Sequence, residues 1–513
     1  VASPHDPTVI FHAGNVLLKS SDRGQHWEEI SPDLTRNQAE KHGPGGGPIT
    51  NEAAGAETYN TIFYVVESLH EAGTIWAGAD DGLVHLTRDG GQTWQDVTPE
   101  GIGEALINAI EVSPHDPATA YLAVTRYKFG DYTPHLFKTN DYGQHWEHVV
   151  EGIGEEAFVR VVREDPARRG LLYAGTETGL YLSFDDGAQW QPFQLNLPVV
   201  PITDLTIRNN DLVAATQGRA FWILDDLSPL HQLNDEIAGA DVHLFAPHAA
   251  SRMAGGSNQA PGQGQNPPSG AILYYYLAEA PDTSTVEVKL DILDATDTVI
   301  RTITTKVEGP STPGPGENQA GQKLSVEAGL NRFVWNLRHK NITRVPKLFT
   351  FGSLQGYRVG PGTYTARLTV GETQQAQPFE VVADPRKNLS PGDFQEQQTL
   401  LASIYETVDE IHASVAKMRQ VREQVKGLLA RMKGQAQADT IAAAGQALMD
   451  RMTAWEEALV QPKQETFQDV INFPNKLNAE FIWLLGNVDA AGPPVTQGAR
   501  DRFADLSQLW NEN

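Results

Sequence analysis

Glycoside hydrolysis asks for two carboxyl groups roughly 5 to 10 Å apart, one protonated and one ionised. Asp80 or Asp81 with Glu177 are the acids of this chain whose places in the repeats fit such a pair. Four other acids stand out because they recur in one pattern, Ser/Thr-x-Asp-x-Gly-x-x-Trp, at 20–27, 87–94, 139–146 and 183–190. Their regularity argues for structure rather than catalysis. Asp22, Asp89, Asp141 and Asp185 stand where a short carboxylate accepts hydrogen bonds from turn N–H groups, and Gly24, Gly91, Gly143 and Gly187 take φ > 0 without steric cost. Trp27, Trp94, Trp146 and Trp190 read as hairpin packing rather than as sugar platforms.

Elements that alternate in period two flank each turn. In the clearest copy, 158–164 reads as an inner strand, 170–175 as a second, 179–184 as a third and 190–194 as a fourth. Four-stranded units of about 40 to 60 residues are propeller blades. Further inner strands are expected at 61–69 and 106–112, after a first blade that enters at its second strand, 8–13. A last blade runs through 202–208, 211–216 and 220–224 without the motif. That makes about five blades, against roughly six to eight in a closed ring. The opening Val1-Ala2-Ser3-Pro4-His5-Asp6-Pro7 matches Val112-Ser113-Pro114-His115-Asp116-Pro117 inside a repeat. The chain is therefore expected to start partway through a blade, with the missing part supplied by preceding sequence or by a second fragment.

The motif resembles the Asp-box, or bacterial neuraminidase repeat, of sialidases, xyloglucanases and sortilin-like propellers. Residues 80–85, 160–166 and 218–226 are similar to segments of large, secreted, sortilin-like bacterial propeller proteins often labelled glycosyl hydrolases. The resemblance implies a β-propeller at the C-terminal side of a longer chain and a secreted, periplasmic or cell-surface bacterial location. It also brings a sialidase comparison, for which Arg126, Arg160 and Arg219 with Tyr59 or Tyr127 supply the residue types, although no sialidase arginine motif matches.

Blade geometry sorts the loops. The box turns and the Ser-Pro-His-Asp-Pro turns lie on one face; loops between second and third strands, and between blades, lie on the other. Ligands of propellers enter where the second set converges. Glu57, Tyr59, Asp80, Asp81, Arg126, Tyr127, Glu177, Gln217 and Arg219 are the binding residues expected there, with Asp80, Asp81 and Glu177 as the catalytic candidates.

Length and composition set the remaining bounds. A chain of 513 residues, 40% hydrophobic, builds more than one core. Its formal net charge of −26 argues against nucleic acid or an anionic membrane as the main partner. Without cysteine there is no disulfide framework and no thiolate chemistry. No apolar run approaches the roughly 18 residues of a membrane span. His145 and His148 bracket Trp146 at an odd separation that sends them to opposite faces of a strand. No zinc pattern, phosphate loop or dinucleotide fingerprint is present, so no cofactor is expected, and Ca²⁺ on acidic turns is the one cation left open.

The blades are assigned to 1–247, and 248–270, rich in Gly, Pro, Gln, Ser and Asn, to a linker or mobile loop. Alternation resumes over 271–384, expected as an immunoglobulin or fibronectin-like β-sandwich. Residues 385–513 are expected as a helical hairpin or bundle, opened by Ser390-Pro391-Gly392-Asp393 as an N-terminal cap. The fold class is thus mainly β with an α C-terminal domain. The function expected is a secreted or cell-envelope binding protein that holds a peptide, protein or glycan at the propeller mouth. The alternatives are a xyloglucanase-like glycoside hydrolase and a structural subunit of an extracellular complex.

Overall fold

The computed structural model describes residues 1–42, 58–253, 264, 266–306, 323–435 and 438–513. Two compact units divide it, Val1–His231 and Gln232–Asn513.

The first unit is a row of five antiparallel meanders, each with the sheet order of a propeller blade. Strands β1 (Ile10–Ala13), β2 (Leu17–Ser20) and β3 (Glu28–Glu29) form the first. Ala2 forms an isolated bridge with Ile10 on the inner side of β1. Strands β4 (Ile62–Glu67), β5 (Ile75–Ala79), β6 (Val84–Thr87) and β7 (Gln95–Asp96) form the second. The third holds β8 (Leu106–Val112), β9 (Ala120–Arg126), β10 (Asp131–Thr139) and β11 (Glu147–His148). The fourth holds β12 (Val159–Glu164), β13 (Leu172–Thr176), β14 (Leu180–Ser183) and β15 (Gln191–Pro192). The fifth has three strands, β16 (Ile202–Arg208), β17 (Asp211–Thr216) and β18 (Phe221–Leu224). The second strands of the complete sheets are buried throughout, as in Ile75–Ala79 and Leu172–Thr176, or up to their last residue, as in Ala120–Arg126, because neighbouring sheets cover both of their faces.

The four box turns share one construction. The first hydroxyl donates to the aspartate, Ser20 to Asp22 at 2.8 Å and Thr87 to Asp89 at 2.8 Å, and accepts from the glycine N–H, Gly24 at 2.8 Å and Gly91 at 3.0 Å. The same carboxylates accept the N–H of His26, Thr93, His145 and Gln189 at 2.9, 2.9, 3.0 and 2.9 Å. The hydroxyl and N–H of Thr93 hold the Asp89 carboxyl down at about 2. All four aspartates are therefore committed to their turns.

Two residue types tie neighbouring sheets together. The indole N–H of Trp94 donates to Ile30 O at 2.8 Å, that of Trp146 to Val97 O at 2.7 Å and that of Trp190 to Val149 O at 2.9 Å, each reaching the preceding sheet. Trp27, in the first box, bonds instead to Gly24 O of its own turn and is 43% exposed. Gly91 has φ +100°, and a Cβ there would sit 2.4 Å from Ile30 O, so glycine also permits the close approach. Histidines reach the other way: Nε2 of His5, His70 and His115 bonds to Ser68 O, Ser113 O and Asp165 O of the following sheet at 2.7, 3.2 and 2.8 Å.

Short helices α1 (Ser228–Gln232) and α2 (Asp235–Ala238) follow. The second unit then contains two facing sheets. One has the order β19 (Val242–Leu244), β21 (Ala271–Leu277), β24 (Gly329–Trp335). The other has the order β20 (Ala250–Arg252), β26 (Thr373–Ala383), β25 (Gly362–Val370), β22 (Val288–Leu293), β23 (Val299–Thr304). Leu273, Tyr275, Phe333 and Trp335 of the first meet Leu290, Leu368, Phe379 and Val381 of the second in one core. Part of the stretch expected as a linker is thus strand: β20 runs parallel to β26, with Ala250 and Arg252 buried.

Helices α3 (Pro391–Met432), α4 (Ala438–Leu459), α5 (Leu477–Ala491) and α6 (Gln497–Asn511) complete the unit. The Ser390 cap is formed as expected, with Asp393 N–H donating to Ser390 Oγ at 3.2 Å and Ser390 N–H to Asp393 Oδ2 at 2.8 Å. Leu401, Ile404, Val408, Ile411 and Val415 of α3 pack with Phe481 and Leu485 of α5 and with Ile342, Val345 and Tyr357. The helices and the segment 342–357 therefore share a core. Among the described residues, no helix is long and apolar enough to cross a membrane.

Candidate functional site

The loops singled out in the sequence do lie opposite the box turns. In each complete sheet the box bonds back to the turn between first and second strands, as in Gly90 N–H to Gly73 O at 3.0 Å and Asp186 N–H to Gly170 O at 2.9 Å. The loop between second and third strands is left at the other end.

Inner strands from four sheets frame a cleft of about 490 Å³. Phe63 and Tyr64 of β4, Asn108 of β8, Arg160 of β12 and Asp204 of β16 line it, with Tyr127 above β9. Phe63 is 56% exposed although it sits inside a strand, because it is the extra residue of a bulge: the ladder passes from Ile62–Ala79 to Tyr64–Gly78 and leaves Phe63 unpaired. Tyr127 stacks on Phe158 with ring centroids 5.2 Å apart. The Arg160 guanidinium lies over both rings, 5.1 Å from Phe158 and 5.7 Å from Tyr127.

The carboxylates around this cleft are paired. Glu177 Oε2 accepts Arg160 Nε and Nη2, each at 2.7 Å. Arg163 donates to Asp204 at 2.8 Å, to Glu111 at 3.4 Å and to the Tyr64 hydroxyl at 3.3 Å. Burial pushes the Glu111 carboxyl up to about 7, against the pull of Arg163.

The remaining expected residues are dispersed over separate settings. Asp81 is fully buried: Oδ2 accepts Arg36 N–H and Asn60 Nδ2, both at 2.7 Å, and its carbonyl accepts Arg36 Nε at 2.9 Å. It clips the segment before β4 onto the loop after β5. Asp80 accepts Thr61 N–H at 2.8 Å, and burial, with neighbouring Asp81 adding to it, raises its carboxyl. Tyr59 donates to Glu104 at 3.1 Å, and Lys41 lies 5.4 Å from its ring centre. Arg126 approaches Asp131 at 3.7 Å. Gln217 and Arg219 are exposed at the tip of the loop between β17 and β18, where Arg219 turns back to Gly218 O at 2.9 Å. Glu57 lies outside the described residues.

Arg160 thus joins Tyr127 and Glu177 in one cluster, while Asp81 is drawn into the scaffold. Inner-strand residues Phe63, Asn108, Arg163 and Asp204 were not expected at the site. The signal was available: aromatic and charged side chains at positions of an inner strand that a closed core would fill with aliphatics. Among the described residues, no three His, Asp or Glu side chains gather as a metal ion requires.

No protein-family model matches the chain, and no curated protein matches it. Among solved structures, it is similar to the GH74 xyloglucanase from Xanthomonas campestris, at 19% identity and a TM-score of 0.35, over 44% of this chain and 36% of that one. It is also similar to an ancestral GH74 enzyme, at 13% identity and a TM-score of 0.33, over 60% and 38% of the two chains. A third is YCF48 from Cyanidioschyzon merolae, at 17% identity and a TM-score of 0.26, over 32% and 52%. The chain thus spans between about a third and half of the length of these structures.

Proposed function

We propose that the first unit is a binding module that holds a peptide or glycan in the cleft between the inner strands without cleaving it, on the outside of a bacterial cell. The observation that carries this reading is the commitment of the cleft carboxylates to arginine. A glycosidase needs one protonated and one free ionised carboxyl group facing the same bond. Glu177 is gripped through both nitrogens of an arginine fork, and Asp204 and Glu111 share Arg163. What remains open to a ligand is aromatic and polar surface, Phe63, Tyr127 and Asn108, with the Lys128 cation beside it. Such a wall supplies stacking and hydrogen bonds, the ordinary means of holding a flexible chain.

The test is a binding screen of peptides and soluble glycans against the intact protein, followed by Phe63→Ala and Tyr127→Ala. Each variant is expected to lose roughly tenfold in affinity, the order of one buried aromatic contact. Incubation with xyloglucan provides the opposing arm. Release of reducing ends that disappears in Asp80→Asn or Glu177→Gln would replace this reading with the hydrolase one.

A further inference from the structure

The second unit holds a cleft of its own, about 530 Å³, whose charged lining consists of Arg252, Arg338, Arg358 and Asp489. Three cations therefore face one anion, in a chain whose formal net charge is −26. Arg338 Nη2 bonds to Asp489 Oδ2 at 3.0 Å, and Arg358 reaches Oδ1 through its own N–H at 3.0 Å and through Nε at 3.3 Å. One carboxylate cannot neutralise both and Arg252 as well.

Arg252 is the residue left over. It is 8% exposed, its guanidinium lies 5.3 Å from the Phe394 ring centre, and Nη2 donates to Gln397 Oε1 at 3.0 Å. Gln397 is itself fixed, because its amide donates to Val488 O at 2.7 Å. Nη1 of Arg252 is buried and has no hydrogen-bond partner among the described residues. A buried charged donor without an acceptor is costly, and native structures keep such a group where something else completes it. Burial, reinforced by Arg358, lowers its pKa to about 10, in accord with a local excess of positive charge. Polar side chains, Ser269, Asn336 and Gln355, line the same cleft beside Leu485.

We propose that this cleft binds a small organic anion, its carboxylate or phosphate oxygens taken by the Arg252, Arg338 and Arg358 guanidiniums and its hydroxyl-bearing body by the serine and amide side chains. Guanidinium forks match both oxyanions in geometry. The volume suits a molecule of monosaccharide size. The site belongs to the second unit and is independent of the ligand assigned to the first.

Titration calorimetry on the intact protein with D-glucuronate, glucose 6-phosphate, inorganic phosphate and D-glucose tests it. One of the three anions is expected to bind, and glucose to bind at least tenfold more weakly; which anion wins separates the carboxylate from the phosphate ligand. Arg252→Gln is expected to weaken the anion at least tenfold. Gln355→Glu, which places a carboxylate within the cleft and leaves the arginine shell in place, is expected to abolish binding while raising the melting temperature. Absence of binding by all three anions at 10 mM, or equal binding in both folded variants, would overturn the proposal.

Discussion

In the cleft of the first unit Arg160 and Arg163 are matched by Glu177, Glu111 and Asp204, whereas the cleft of the second holds Arg252, Arg338 and Arg358 against Asp489 alone. The arginines of the first are paired before any ligand arrives. What it offers besides Lys128 is surface, and its recognition rests mainly on shape and stacking. The second is unfinished, and a ligand there would complete it. Buried ion pairs cost more to break than they gain by forming, so both clefts are sensitive to mutation, and only a loss in the second is expected to respond to an added anion.

Asp489→Ala makes the sharpest break in that comparison. It leaves Arg338 and Arg358 without their carboxylate in a buried setting, and a loss of about 3 to 5 kcal/mol in urea unfolding is expected. Added phosphate recovers part of the loss if the second cleft accepts anions as described. Arg163→Met is the counterpart in the first unit, and its cost depends on pH. Glu111 carries a folded pKa raised to about 7. A raised carboxyl pKa means that the proton is held more tightly in the folded state, so its contribution is fully present below the unfolded value of about 4.3 and is lost as pH rises toward 7. At pH 5 Glu111 is neutral and loses little when Arg163 goes; at pH 8 its carboxyl, no longer held down by Arg163, must take up a proton to stay buried. Arg163→Met is therefore expected to cost about 1 kcal/mol more at pH 8 than at pH 5, measured by unfolding at both, with no recovery by phosphate. The smallest effect separates the boxes within the first unit. Trp94→Phe removes a hydrogen bond to the neighbouring sheet and is expected to cost about 1 kcal/mol. Trp27→Phe, whose indole bonds within its own turn, is expected to cost less than about 0.5 kcal/mol.

How much of this could be read in advance depends on how local the cause is. The boxes were legible because each turn is built from residues within eight positions of one another, and hydroxyl, carboxylate and glycine must recur at fixed spacing. The helix start at Ser390 was legible for the same reason. The Ser-Pro-His turns were seen twice, yet Ser68-Leu69-His70 carries the same histidine contact under a different middle residue, and the contact itself crosses sheets. Asp81 was placed on the correct loop, but its burial comes from Arg36 and Asn60, which no periodicity links to it. The arginine cleft was not legible at all. Its lining comes from 252–253, 269, 336–338, 353–358 and 485–490, segments joined only by packing of a sheet sandwich against helices.

The tryptophan and histidine ties have a consequence for how the first unit comes apart. Each of the first three junctions between sheets is closed twice, by an indole reaching back and an imidazole reaching forward. The fourth junction is closed by other means: Trp222 bonds to Arg219 O within its own sheet, while Arg163 of β12 donates to Leu205 O and to Asp204 of β16, both at 2.8 Å, and His231 reaches the Asp165 side chain from beyond the last strand. A row of modules opens first where one side chain carries most of a junction, and Arg163, which also reaches Tyr64 of β4, is that side chain at the fourth. In Arg163→Met, amide protons of Ile202–Arg208 and Asp211–Thr216 would then exchange through an opening of the fifth sheet alone, while those of the third sheet, tied on both sides by indole and imidazole, wait for a larger opening.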